Sequence, residues 1–246
     1  MRPARRVRVA TRAEPLQRQN MGDFIVTGAR RGIGREVALA LAAQGNTVWA
    51  LSRTALDPAE WNFPQIHVRA VDPVRPDDWR LFAEELRVQG RTVSGLINSA
   101  GYLVRKPLEE LSPEDFADSF AANATAPALA VQALMPLFEA SVHVVTLSSM
   151  GGFQGSVKFP GMAAYSSSKA AAVCLTEVLQ TEFNDRGWSF NVLCLGAVQT
   201  EMLSEAFPGF EAPVSAGEMG SYVADFVQNG HRFFRGKVLP VSSTTP

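Results

Sequence analysis

The stretch AAYSSSKAAA, residues 163–172, sets a phenol and an ammonium four residues apart at the start of an alanine-rich run. In a helix that spacing brings Tyr165 and Lys169 to one face, one above the other. An ammonium beside a phenol favours the phenolate and lowers the phenol's pKa. Such a phenol suits proton transfer near neutral pH. Tyrosine and lysine also meet at this spacing on ordinary helix surfaces, so the pair gains meaning only from the elements that hold it.

A second stretch with chemical content is TGARRGIGREVA, with Gly28, Gly32 and Gly34 in a T-G-x-x-x-G-x-G spacing. It joins a short apolar run, FIVTG, to a helix-spaced one, IGREVALALAAQG. Glycines there permit a tight turn, and helix N-terminal amides face whatever anion comes close, as a pyrophosphate does. A turn that needs glycine only for packing would look the same in isolation. Its place after the first strand of a doubly wound sheet favours dinucleotide binding. The second apolar run ends in LSR, with Ser52 and Arg53, and no carboxylate follows until Asp57. An acid at that point would hold a ribose 2′-hydroxyl. Arginine suits a 2′-phosphate through paired, charge-assisted hydrogen bonds, and Arg30 and Arg31 in the glycine turn add guanidinium groups. The pattern favours NADP(H), with NAD(H) as the weaker cofactor.

These residues need a scaffold, and the patterning supplies one. Apolar, β-branched runs at 24–28, 47–53, 65–72, 92–101, 141–149, 189–196 and 236–241 read as strands. They alternate with helical spacing at 33–45, 76–90, 113–138, 163–187 and near 215–229. Continuous apolar strands between helices mean a parallel sheet covered on both faces. The expected fold is α/β: one Rossmann-like, doubly wound parallel sheet of about seven strands with helices on both faces. No linker or repeat divides residues 21–246. Residues 1–20, with six arginines and no apolar core, do not form a secretory signal, and are expected to be a disordered extension; an organelle-targeting segment is the other reading.

Composition narrows the function. With 23 basic and 24 acidic residues the net charge is −1, so nothing points to nucleic acid or an anionic membrane. No uninterrupted apolar run reaches the roughly 18 to 20 residues of a membrane span, and a cytoplasmic location is expected. Cys174 and Cys194 sit in apolar runs and read as small core residues. The three histidines, His67, His143 and His231, show no ligand spacing, and no metal is expected.

The chain resembles the short-chain dehydrogenase/reductase (SDR) family from Phe24 to Val241. The likeness rests on TGARRGIG, NSAG, the Asn in AANATAP, SSMGG and YSSSK, in the family's order. It implies a catalytic set of Asn123, Ser149, Tyr165 and Lys169. Tyr165 would be the general acid at the carbonyl oxygen, and Lys169 would bind the nicotinamide ribose and depress the Tyr pKa. Ser149, matched to the family's S-x-x-G pattern through Gly152, would hold the substrate oxygen, and Asn123, in the long helix, would anchor a relay water. Alternation sends Ser148 to the opposite face of the strand. By the same resemblance the cofactor lies against Gly28, Arg30, Arg31, Gly32, Ile33, Gly34, Ser52 and Arg53. Val71 and Asp72 face adenine; Asn98, Ala100 and Gly101 face its ribose; Gly196, Val198 and Thr200 face the carboxamide and diphosphate.

Ser99 replaces a usual Asn, Leu195 replaces a usual Pro, and the C-terminal GKVLPVSSTTP lacks the family's Gly-Gly. The last departure leaves a homodimer or a homotetramer open, with the helices at 113–138 and 163–187 as the family's usual dimer surface. The substrate segments supply Phe153, Phe159, Met162, Met202, Leu203, Phe207 and Phe210, which suggest an apolar pocket for a small or medium carbonyl or alcohol. Two other functions use the same scaffold. A nucleotide-sensing protein without turnover would have no use for the acid. A dehydratase or epimerase usually carries a shorter glycine turn and a larger C-terminal region.

Overall fold

A computed structural model describes residues 23–242; the expectation for residues 1–20 lies outside the described residues. The strands are β1 (Asp23–Thr27), β2 (Thr47–Ser52), β3 (Ile66–Ala70), β4 (Val93–Asn98), β5 (Phe138–Ser149), β6 (Ser189–Leu195), β7 (Val198–Gln199), β8 (Val214–Ser215) and β9 (Val238–Val241). The helices are α1 (Gly32–Ala43), α2 (Pro76–Val88), α3 (Pro113–Phe120), α4 (Ala126–Leu134), α5 (Ala163–Glu182), α6 (Glu201–Ala206) and α7 (Ala216–Asn229). Seven strands form one sheet in the order β3-β2-β1-β4-β5-β6-β9, every pair parallel.

All five residues of β1 and all seven of β6 are buried. A strand covered on both faces cannot alternate apolar with polar, so the runs read as continuously apolar. One apolar layer joins Val37 and Leu41 of α1 to Val223 and Val227 of α7 beneath the sheet. The other joins Trp79 and Phe82 of α2 to Val131 and Leu134 of α4 above it. Gly220 of α7 lies so close to Glu36 of α1 that a Cβ would collide with the Glu36 side chain and backbone, so the two helices touch backbone to backbone.

Strand order reverses between β1 and β4, the point where doubly wound sheets bind ligands beyond the strands' C-terminal ends. Because every strand is parallel, Thr27, Asn98, Ser149 and Leu195 all end on that edge.

The helical stretch at 113–138 is not one regular helix. A π turn, Ala121–Thr125, separates α3 from α4, and a 3-10 turn, Met135–Leu137, follows. Apolar periodicity runs through the break, which is why the sequence reads as unbroken. By length and composition Pro113–Leu137 would suffice to cross a membrane; here α3 and the π turn pack on α5, and α4 on α2. The helix from 163 ends at Glu182, and a 3-10 turn carries the chain to Gly187, φ +77°. Of the two cysteines read as core, Cys194 is buried and Cys174 is exposed. Cys174 lies on the outer face of α5, where its apolar neighbours mimic a core pattern.

Candidate active site

At the N-terminus of α1 the chain leaves a cradle of bare backbone. Gly28 (φ +69°) and Gly32 (φ +57°) adopt left-handed conformations open to glycine. A Cβ on Gly28 would stand 2.7 Å from Ala100 Cα, and one on Gly34 would stand 2.6 Å from the Gly28 oxygen. Thr27 Oγ1 accepts the amides of Ser99 and Ala100, each at 3.1 Å, and so fixes the β4 end against the turn. Arg31 stands at the N-cap without a capping hydrogen bond, and the first turn of α1 carries no acid. By contrast α3 and α7 each begin with a complete capping box. An uncapped N-terminus facing a glycine-lined hollow fits a diphosphate, so the residues present fit a dinucleotide cofactor.

The edge of this cradle is basic, but its arginines do different things. Arg30 Nη1 donates to Thr54 Oγ1 at 2.8 Å, and Arg53 is exposed with no ionic partner among the described residues. Asp57, the first acid after β2, caps a 3-10 turn through the Ala59 amide. Arg31 departs from the expectation that it would join Arg53. Its guanidinium binds Glu205 of α6 at 2.7 Å, a partner 174 residues away that no local pattern announces. Further along, Val71 donates its amide to the Ser52 oxygen. Asp72 accepts from the Val74 amide at 3.2 Å. Asn98 is buried and donates to Thr146 Oγ1 at 3.4 Å. Gly196 lies where a Cβ would strike Ser242, Val198 is buried in β7, and Thr200 caps α6 through the Leu203 amide.

The second cluster gathers around the N-terminal half of α5. Lys169 is buried, and its Nζ donates to the Leu147 oxygen at 2.9 Å and stands 5.9 Å from the centre of the Tyr165 ring. Ser149 stands near enough to the Tyr165 phenol to favour its ionised form and accepts the Gly151 amide at 3.0 Å. Ser148, on the other face of β5, is buried and donates to the Lys169 oxygen at 2.9 Å. Asn123 Oδ1 accepts the Tyr102 amide at 2.9 Å, while Nδ2 donates to the Tyr102 oxygen and to Ser168 Oγ, each at 2.8 Å. The π turn makes this reach. One extra residue in the helix changes the direction of Asn123, and such turns are often found at functional sites. A Cβ on Gly101 would fall 3.0 Å from Asn123 Oδ1 and 3.4 Å from Lys169 Nζ, so Gly101, Asn123 and Lys169 converge.

Electrostatics at the pair differ from the expectation that Lys169 depresses the phenol. Burial pushes Tyr165 up to about 12, opposed by the nearby Ser149. Burial also pulls Lys169 down to about 8, which the nearby Cys194 partly opposes. Loss of water is therefore the dominant effect on both groups. The phenol is neutral at pH 7 and holds a proton to give.

Beside this cluster lies a cavity of about 570 Å³ whose walls include Arg105, Lys106, Gly161, Met202, Glu205 and Ala206. Met202 is thus on the wall. Phe207 stands behind it, its ring under the Arg105 guanidinium at 4.4 Å. Phe153 and Met162 do not line it: Met162 is buried at the start of α5, and Phe153 caps the 3-10 turn after β5. Where an apolar pocket was expected, three of the nine wall residues are charged. Aromatic residues mark a pocket in sequence only when nothing else buries them, and Phe159 and Phe210 are simply exposed. Tyr102, Ser168, Arg105 and Glu205 were not singled out in the sequence. Only Ser168, inside YSSSK, carried a signal.

The family model for short chain dehydrogenases matches residues 24–209. Dehydrogenase/reductase SDR family member 6 of Rattus norvegicus is 29% identical over 197 residues, covering 78% of each chain. The 3-oxoacyl-[acyl-carrier-protein] reductase FabG of Staphylococcus epidermidis is 28% identical over 187 residues, covering 72% of this chain and 75% of its own. Among solved structures, the aldohexose dehydrogenase of Thermoplasma acidophilum in ligand-free form superposes with a TM-score of 0.79 at 22% identity. That match covers 89% of this chain and 92% of the other.

Proposed function

The chain belongs to the short-chain dehydrogenase family, and on that premise we propose that it is an NADP(H)-dependent oxidoreductase interconverting a small or medium carbonyl compound and its alcohol, with Tyr165 as general acid and base. The observation that carries this reading is the meeting of Tyr165 with Ser149 on one side and Lys169 on the other, beside a cavity of substrate size. The names of its relatives, reductases and dehydrogenases, agree in reaction type.

The glycine turn and the α1 N-terminus would hold the diphosphate, with Arg30 and Arg53 at the 2′-phosphate. When bound, the nicotinamide supplies or accepts the hydride. Ser149 holds the substrate oxygen within reach of the phenol, and Tyr165, neutral at pH 7, delivers its proton to that oxygen. Lys169, fixed by the Leu147 carbonyl, offers its other N–H groups toward the ribose and the returning proton. Asn123 fixes Tyr102 and Ser168, and through them the loop and helix that frame the site. A homo-oligomer working in the cytoplasm belongs to the same reading.

Nicotinamide fluorescence, titrated in parallel with NADPH and NADH, tests the cofactor half. NADPH should bind more tightly, and Arg53→Asp should reverse or erase the preference by about tenfold or more. Equal binding in both proteins rules out the assignment of the 2′-phosphate site. Tyr165→Phe should retain NADPH affinity and lose nearly all turnover of a carbonyl panel; a variant with the wild-type rate removes Tyr165 from the chemistry.

A further inference from the structure

We infer that the cavity beside Tyr165 takes an oxo acid, and that Arg105 holds its carboxylate. This rests on the carbonyl-reductase reading above and names its substrate class.

Three charged residues stand on the wall: Arg105, Lys106 and Glu205. Two are already neutralised. Lys106 Nζ reaches both Asp115 oxygens, at 2.9 and 2.8 Å, and Glu205 is held by Arg31 at 2.7 Å. Arg105 alone has no carboxylate partner among the described residues. The cavity therefore carries one uncompensated positive charge.

That charge is also held in position. Arg105 Nη1 donates to the Ala206 oxygen at 2.8 Å. Phe207 lies under the guanidinium at 4.4 Å, and the side-chain stem passes Gly161, where an added Cβ would sit 3.3 Å from Arg105 Cγ. One of five N–H donors is used by Ala206, and the rest of the fork is free for an anion. A guanidinium held flat by a ring and a carbonyl presents the geometry that carboxylates bind in pairs. Gly161 lies two residues before α5, and Tyr165 is the third residue of that helix, about 3 Å of rise from its start. The acid group and the reacting carbonyl should therefore be separated by a short carbon chain.

The test uses levulinate and its longer oxo-acid homologues against their methyl esters, on the wild-type protein, Arg105→Gln and Arg105→Lys. Binding is read by calorimetry with NADPH present, and kcat and KM by NADPH consumption. The acid should bind wild type about tenfold or more tightly than its ester, and Arg105→Gln should erase the difference. Arg105→Lys should retain part of it. The loss should appear in KM for the acid, with the ester unchanged in both constants, which also reports that the variant is folded. Equal binding of acid and ester by wild type, or equal losses of both in Arg105→Gln, overturns the inference. Arg105-dependent acid binding without NADPH consumption upholds the anion site and removes the hydride-transfer reading. Reduction of the neutral esters with no selective effect of Arg105→Gln removes the anion site alone.

Discussion

Asn123 grips Tyr102 at both of its main-chain polar groups, accepting the amide at 2.9 Å and donating to the carbonyl at 2.8 Å. A side-chain amide that pairs with a peptide group in this way acts as a local strand neighbour. It ties the loop after β4 to the π turn, and through Ser168 to α5. Asn123→Ala leaves the Tyr102 amide and carbonyl without partners in a site where Asn123 itself is 1% exposed. An unsatisfied buried polar group costs about 1–3 kcal/mol, but Tyr102 is 38% exposed and water can reach its main chain, so the variant should lose about 1–2 kcal/mol. Guanidinium denaturation measures this directly, and an unchanged midpoint would show that the grip contributes nothing to folding.

Ser148 and Ser149 are neighbours with separate tasks, and their alanine variants should separate them. Ser149→Ala removes the hydroxyl beside the Tyr165 phenol and should lower kcat about 10²–10³-fold, the usual effect of losing one positioned oxygen-binding donor. Ser148→Ala removes the bond to the Lys169 carbonyl and should cost about 1 kcal/mol of stability. Steady-state kinetics on both proteins decide the matter. A larger loss of kcat in Ser148→Ala would exchange their roles.

Lys169 is a charge kept at a cost. Its folded pKa, about 8, lies below the ordinary 10.5, so folding expels its proton less readily from the unfolded chain than from the native one. The penalty is full below pH 8, declines as pH rises from 8 to 10.5, and is absent above. The shift corresponds to about 3 kcal/mol, and the lost bond to Leu147 returns about 1 kcal/mol. Lys169→Met should therefore be about 2 kcal/mol more stable than wild type at pH 7, less stable above pH 10.5, and without turnover. Paired denaturation curves at the two pH values check the crossing; a variant less stable at both would refute it.

His143 carries the opposite consequence, in acid. Its Nδ1 lies 2.9 Å from the Val227 oxygen and its Nε2 2.9 Å from Asn191 Nδ2. Burial holds its pKa down to about 4 from the ordinary 6.5. The unfolded chain takes up the proton first, so stability is intact above pH 6.5 and falls between 6.5 and 4, by about 3 kcal/mol in all. His143→Gln, which cannot titrate, should flatten the acid limb of the stability curve. An unaltered slope would assign acid unfolding to the carboxylates instead.

Much of this architecture was legible in the sequence because each element states its own condition. The strands are buried on both faces and so read as unbroken apolar runs, and the cradle needs glycine where a Cβ would meet Ala100 or the Gly28 carbonyl. The π turn was not legible, since one inserted residue leaves the apolar stripe on both sides intact. Nor was the Arg31–Glu205 pair, whose partners lie 174 residues apart. The same holds for Cys174, exposed on a helix face as apolar as a core one. The polarity of the cavity depended on which charges neutralise one another, and pairings such as Lys106 with Asp115 emerge only from the fold.

The sheet order has a further consequence, for the newly made chain. β1 pairs with β2 and with β4, and the glycine turn that follows it is walled by Ala100 and faced by Thr200. The turn leaves the ribosome before either wall, and the walls arrive in two later instalments. Between the translation of Gly28 and that of Thr200 the chain carries a glycine cradle that is not yet closed, and a ligand held there can add its full stability only once Thr200, beyond β6 and β7, is seated.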